Sequence, residues 1–270
     1  MAEWQVAPPS YELNNYDQPK IDYRDKVQQI VNSVPIKNLK KKSFITISTN
    51  VLCADIETKR NPDPADRDIY LPLEISLVKW NVRDYMKAPN ERELKTYHWI
   101  VNPGDIPQGC VNYARDHRNK HLIERLSDRD TYLEGDLDSI VSQINSVLLP
   151  DRTVFSLDIY RCRQDLGCLK WLNRVTGGKL KPVNVYSLQD LYILLIRTLA
   201  EDEETRRSVS LGIARFRLND SEHYDIERQC NYHRDKLRED GSSSCDCCAR
   251  ALSITHTSIL LDDLKMFTAS

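Results

Sequence analysis

Apolar residues recur along the chain at two spacings, and the changes from one to the other mark its elements. Val27, Ile30, Val31 and Val34 follow three- and four-residue steps within Ile21–Val34, which predicts a short amphipathic helix ended by Pro35. Phe44–Ile56 has the Ile, Val and Thr content of a buried strand. Leu71–Val82 predicts a second strand, with Leu73, Ile75 and Leu77 on one face and Glu74, Ser76 and Val78 on the other. Arg83–Glu93 reads as a polar hairpin loop. Leu94–Val101 reads as a third strand, closed by the turn residues from Asn102 to Pro107.

Helical spacing returns over Asp136–Leu148 through Leu137, Ile140, Val141, Ile144 and Leu148. Thr153–Leu157 and Val183–Tyr186 are short strands on either side of a helix over Asp165–Val175, which Gly177 and Gly178 stop. Ser187 caps an apolar helix over Leu188–Ala200, and an acidic loop follows it. The last helix runs from about Ala249 to Phe267. Three adjacent strands followed by alternating helix and strand predict an α/β fold of the ribonuclease H type. Its mixed sheet has three antiparallel strands and then parallel additions, flanked by helices. Residues 1–43 form an N-terminal extension with a short helix and a basic linker, and residues 44–270 form one domain.

Composition narrows the partners. A chain of 270 residues can bury a sizeable core. Its formal charge of −2 provides no bulk basic field, so contact with nucleic acid must be local. Local basic density makes Lys40, Lys41, Lys42, Arg115, Arg118 and Lys120 candidate RNA-phosphate contacts, with a solvated linker or a nuclear-localisation patch as the other readings of the lysine cluster. Mean hydropathy is −0.55. No apolar run approaches the ~20 residues of a membrane span, and the first residues lack the pattern of a signal peptide. The expectation is a soluble intracellular chain without a membrane partner.

Two constellations carry chemistry. Asp55 and Glu57, two residues apart at the end of the first strand, share a face and could hold a divalent cation. The runs CADIET, LEISLVKW and YHWIVNPG resemble the opening of the acidic exonucleases. That resemblance implies a Mg²⁺-dependent 3′–5′ exonuclease using Asp55, Glu57, Asp158, His256 and Asp262, with Asp165 and Asp263 as alternatives. The spacing of His256 to Asp262 or Asp263 is longer than that family's last motif, and two ions ~4 Å apart tolerate little displacement of a ligand.

The second constellation is softer. Cys230 and His233 are followed about 15 residues on by Cys245, Cys247 and Cys248, a spacing that suits a structural zinc but leaves one ligand to come from elsewhere. Cysteines clustered in this way, in a chain without a secretory signal, favour metal over disulfides. Cys53, Cys110, Cys162 and Cys168 have no partner at ligand spacing and read as buried and inert.

Taken in order, several segments resemble the Maelstrom domain family of the germline piRNA pathway. They are Phe44–Cys53, Tyr70–Trp80, Tyr97–Gly109, His121, Cys168–Leu172, Ser187–Tyr192, Cys230–His233 and Cys248–Ser253. The resemblance spans residues 44–265. It implies a ribonuclease H-like fold in which a Glu-His-His-Cys-His-Cys pattern falls on Glu74, His98, His121, Cys230, His233 and Cys248. Of these, Glu74, Cys230, His233 and Cys248 would bind a structural zinc, with His98 and His121 completing the pattern. Cys245 and Cys247 compete with Cys248 for the last place. The resemblance also implies binding of single-stranded RNA, a possible single-stranded RNA nuclease activity, and work with piRNA-pathway proteins in transposon silencing. The expected locations are perinuclear germ granules (nuage) and the nucleus of germ cells through meiosis. Residues 1–43 are too short for the HMG box that family members commonly carry, so no DNA binding through such a box is expected. A non-enzymatic scaffold of the same machinery is the remaining alternative.

Overall fold

A computed structural model describes residues 23–54, 69–92, 94–107, 109–121, 123, 136–219, 226–240 and 248–268. The first described elements are α1 (Tyr23–Asn32) and α2 (Ile36–Leu39). β1 (Ser43–Ala54), β2 (Tyr70–Asn81) and β3 (Lys95–Ile100) follow, then α3 (Val111–His121), α4 (Leu137–Val147), β4 (Thr153–Ser156), α5 (Ile159–Val175) and β5 (Asn184–Ser187). The C-terminal part is helical: α6 (Leu188–Leu199), α7 (Glu203–Ser208), α8 (Leu211–Leu218), α9 (Asn231–Asp240) and α10 (Ala249–Thr268).

The strands form one mixed sheet in the order β3-β2-β1-β4-β5. β1, β2 and β3 pair antiparallel, whereas β4 joins β1 and β5 joins β4 in parallel. The β1–β2 ladder pairs Asn50 with Glu74 and then slips, so that Val51 faces Pro72. A proline has no N–H to give to a ladder, which suits it to such an irregularity.

Both faces of the sheet are covered. Leu73, Ile75 and Leu77 of β2 join Ile45 and Ile47 of β1 and Val154 of β4 in a core under α3, α4 and α5. Val78 and Trp80 join Phe44 and Phe155 in a second core with α1, α6, α8 and α10. The alternation along β2 was legible in the sequence, but its polar side faces α10 rather than water. Ser76 Oγ lies 2.8 Å from Ser253 Oγ, and Thr257 Oγ1 lies 3.0 Å from Thr46 Oγ1. These hydroxyls also find partners within their own elements, as when Thr257 Oγ1 donates to the Ser253 carbonyl at 2.8 Å. Buried polar atoms are tolerated on such terms.

Where the structure differs from the sequence pattern, caps and tertiary contacts account for it. α5 begins at Ile159, well before Asp165, because the Asp158 carboxylate accepts from the Tyr160 and Arg161 amides. The segment expected as a hairpin loop after β2 carries two short 3₁₀ turns, at Val82–Met86 and Pro89–Glu91. Helices α2, α3, α7, α8 and α9 are additions to the elements expected from periodicity. No helix among the described residues is long and apolar enough to cross a membrane.

Candidate metal centre

The side chain of Glu74 is wholly buried on the polar face of β2. A carboxylate withdrawn from water demands charged or hydrogen-bonded partners, and four elements supply them. Asn50, its register partner on β1, donates through Nδ2 to Oε2. The amide of Ala249, at the first turn of α10, donates to the same oxygen at 3.1 Å. On β3, His98 is opposite Ser76 and so diagonal to Glu74, and its Nε2 lies 2.8 Å from Oε1.

The other groups come from the C-terminal part of the chain. Cys230 immediately precedes α9 and Cys248 immediately precedes α10. Their carbonyls accept from the Arg234 and Leu252 amides, which makes both cysteines the cap residues of their helices. A thiolate in that position gains from the positive end of the helix dipole. The Cys230 and Cys248 sulfurs lie 3.7 Å and 3.8 Å from Glu74 Oε1. His233, on the first turn of α9, places Nδ1 3.4 Å from the same oxygen and 3.0 Å from Cys230 Sγ. Its Nε2 is 2.7 Å from the carbonyl of His121, a free acceptor at the C-terminus of α3. Donation of Nε2–H to that carbonyl leaves Nδ1 facing the cluster, where it carries the second proton of the charged ring or, with that proton lost, a lone pair for a metal.

Electrostatics follow from this crowding. Burial alone would raise the pKa of Glu74, but the His233 charge and the His98 hydrogen bond outweigh it and hold the carboxyl at about 2. Burial would lower that of His233, yet the Glu74 carboxylate holds it up at about 9. Between the two cysteines, the hydrogen bond to Cys248 and burial push the Cys230 thiol far up. Burial opposes ionisation of Cys248 as well, but the hydrogen bonds from Cys230 and His233 prevail and lower its pKa.

The donor set fits a borderline-soft divalent ion. Ligand atoms of Glu74, His98, Cys230 and Cys248 all lie within 4.8 Å of one another. A tetrahedral shell with bonds of about 2.0–2.3 Å has ligand–ligand edges of about 3.3–3.8 Å. The spacings of Glu74 Oε1 to Cys230, Cys248 and His233 fall in that range, whereas His98 sits at hydrogen-bonding distance. A carboxylate, an imidazole and two thiolates are compatible with zinc.

Among the described residues the other candidates form no such group. Asp55, Glu57, Cys245 and Cys247 lie outside the described residues. Asp158 is occupied as the cap of α5, and Asp165 accepts from Thr49 and Ser156. On α10, Asp262 pairs with Arg92 at 2.7 Å, Asp263 is held by Arg217 and Tyr192, and His256 is buried. Six residues of helix turn the side chain through about 240°, so His256 and Asp262 point in different directions.

The basic candidates form two groups. Lys40, Lys41 and Lys42 precede β1, and Lys42 Nζ donates to the Ile30 carbonyl at 3.2 Å. Arg115, Arg118 and Lys120 are on α3, which His117 ties to the far end of β1 through the Val51 carbonyl at 2.8 Å. At ~3.3 Å per residue, Ser43 and Val51 of β1 are about 26 Å apart. A third basic surface had not been singled out. It is a groove of about 760 Å³ between β3 and α9, lined by Tyr97, His98, Arg234, Arg238 and Arg250 among others.

Two supporting parts of the centre left no local trace in the sequence. Asn50 acts through strand register, and His121 acts through its backbone carbonyl rather than its ring. A comparison with protein families matches residues 65–266, three quarters of the chain, to a model described as Maelstrom, a piRNA pathway germ-plasm component. The Phe44–Cys53 segment lies outside that match. No curated protein matches the chain.

Proposed function

The chain belongs to the Maelstrom family, and from that premise we propose that it is a zinc-stabilised, RNA-binding domain acting in piRNA-guided transposon silencing in germ cells. The observation that carries the reading is the convergence of Cys230, His233 and Cys248 on one buried oxygen, Glu74 Oε1, at 3.7, 3.4 and 3.8 Å. In this reading those four hold the ion. His98 orients the Glu74 carboxylate, and the His121 carbonyl fixes the tautomer of His233. Metal-binding histidines commonly give their second N–H to such an acceptor.

Zinc bound by four protein groups has no open position for a water or substrate, so its role here is structural. It ties the middle of the sheet to the N-termini of α9 and α10. RNA cleavage is therefore not assigned to this centre. The fold reading as ribonuclease H-like is supported by the three antiparallel strands and the two parallel additions. RNA binding is supported by the family and by the groove beside β3. There Tyr97 is half-buried, and Arg234, Arg238 and Arg250 combine a stacking surface with positive charge. Residence in germ granules and the nucleus, with piRNA-pathway proteins as partners, belongs to the same reading.

Metal analysis of the purified protein tests the centre. The expected result is one zinc per chain, lost in Cys230→Ser together with cooperative folding. Normal folding of that variant, with no zinc in the parent, would sink the proposal. RNA binding is tested separately by titrating single-stranded RNA over a range of salt. Phosphate contact requires log affinity to fall linearly with log salt, with a slope of about −0.7 per contact.

A further inference from the structure

A second cavity, of about 230 Å³, opens where β4 ends at Ser156, between the first turn of α5 and the middle of α10. Ser48 and Asn50 of β1 form its floor, and Arg161, Lys120, Asp165 and His256 contribute its charged and titratable groups. Ligands of open α/β sheets tend to bind at the carboxyl ends of parallel strands, and β1 and β4 are parallel here.

His256 is only 3 % exposed, and neither of its ring nitrogens has a partner among the described residues. His121 Nδ1, on the opposite wall, is likewise buried without a partner among them. Buried polar atoms are rarely left unsatisfied, and unpaired ones call for a water, an ion or a ligand. Burial and the charge of Arg161 push the pKa of His256 down to about 3, so its imidazole is neutral and has one N–H to donate.

The charge balance identifies the class of ligand. Asp165 is the only carboxylate among the described lining residues. Its Oδ1 accepts from the Thr49 amide and hydroxyl, and its Oδ2 accepts from Ser156 Oγ. It is therefore committed to tying α5 to β1 and β4, and a hard cation would find no free carboxylate among the described lining residues. Arg161 and Lys120 have no ion-pair partner among the described residues, and together they outweigh Asp165. The amides of Tyr160 and Arg161 are taken by Asp158, so side chains rather than the helix end do the binding. A volume below the ~300–1,000 Å³ of drug-sized sites suits a small group.

We propose that this cavity is a phosphate-binding pocket in which Arg161 and Lys120 hold the charge and His256 donates a hydrogen bond. The anion follows from the pocket itself. Its source, a terminal or a bridging phosphate of single-stranded RNA, rests on the RNA-binding reading above.

The test uses the full chain and two variants at solvent-reaching positions, Arg161→Met and Lys120→Met. Inorganic phosphate is titrated calorimetrically. One single-stranded RNA is titrated by fluorescence anisotropy in its 5′-phosphorylated and 5′-hydroxyl forms. The expected result is saturable phosphate binding that weakens about 10- to 100-fold in Arg161→Met. A preference for the 5′-phosphorylated RNA that this variant loses assigns the terminal phosphate. Equal binding of both RNAs, weakened alike, assigns a bridging one. Phosphate binding that Arg161→Met removes, with no RNA binding at all, keeps the pocket and refutes the RNA reading. If phosphate binding does not saturate and RNA binding is the same in parent and variants, the pocket is refuted and the RNA reading stands.

Discussion

Replacing Glu74 with Gln keeps the shape of the side chain and removes its charge. The carboxylate accepts from Asn50 Nδ2 and the Ala249 amide on one oxygen, and faces His98, His233 and both cysteines with the other. An amide has only one accepting atom, so its NH₂ must confront donors on one side or the other. Breaking one partner of a buried charge pair costs about 3–5 kcal/mol, and each donor left unpaired costs about 1–3 kcal/mol within that total. Domain stabilities are about 5–15 kcal/mol, so the loss is a large fraction of the whole. At about 2–4 °C per kcal/mol for a chain of this size, Glu74→Gln lowers the melting midpoint by about 6–20 °C. Circular dichroism melts of parent and variant, with zinc quantified in the same samples, measure both consequences. A variant that melts within about 2 °C of the parent and keeps its zinc would show that Glu74 is neither a ligand nor an electrostatic anchor.

Further outcomes follow from the same contacts. His233→Ala loses zinc, whereas His98→Ala retains it with about 10- to 100-fold lower affinity, as expected for a partner that orients a ligand; a competition titration with a chelator ranks them, and the reverse order would reassign the fourth ligand to His98. Asp165 is raised from 3.8 to about 6, chiefly by burial. The native state therefore holds a proton that the unfolded state releases between those pH values, and this contribution is complete below 3.8 and lost as pH rises through about 6, an effect of about 3 kcal/mol. Urea melts of Asp165→Asn across pH 4–7 lack that loss, and a parent-like slope in the variant would contradict it. Asp263 is buried and bound by Arg217 at 2.5 Å and Tyr192 at 2.8 Å, whereas the side chain of Asp262 is 42 % exposed beside Arg92. Asp263→Asn is expected to cost about 3–5 kcal/mol in denaturant melts, and Asp262→Asn less than that, because only its Arg92 partner is buried; similar costs would mean that burial of the carboxylate does not separate them.

The legible part of the fold was the part governed by periodicity. Leu73, Ile75 and Leu77 gave away β2, and the apolar positions of α4 and α6 gave away those helices. The cover over the polar side of β2 was not legible, because nothing local announces that α10 will supply Ser253 and Thr257. Helices α3 and α9 carry too few apolar residues for a stripe. In α3 only Ala114 and His121 are buried, and in α9 the buried residues include Tyr232, His233 and Leu237. Ligand spacing alone made Cys230, His233 and the cysteines near 248 conspicuous. Glu74 and His98 could be reached only through the family pattern, because what joins them to the cysteines is the sheet register and the docking of α10.

The cluster around Glu74 also bears on the order in which the chain can fold. Glu74 is 156 residues before Cys230 and 174 before Cys248. Contacts of such long range form late, after the loop-closure entropy has been overcome. During synthesis, β1, β2 and β3 can pair long before either cysteine has been made, with Glu74 awaiting most of its partners. Only a chain translated through Cys248 can close the cluster, and a product stopping earlier is left with Glu74 on an uncovered sheet face.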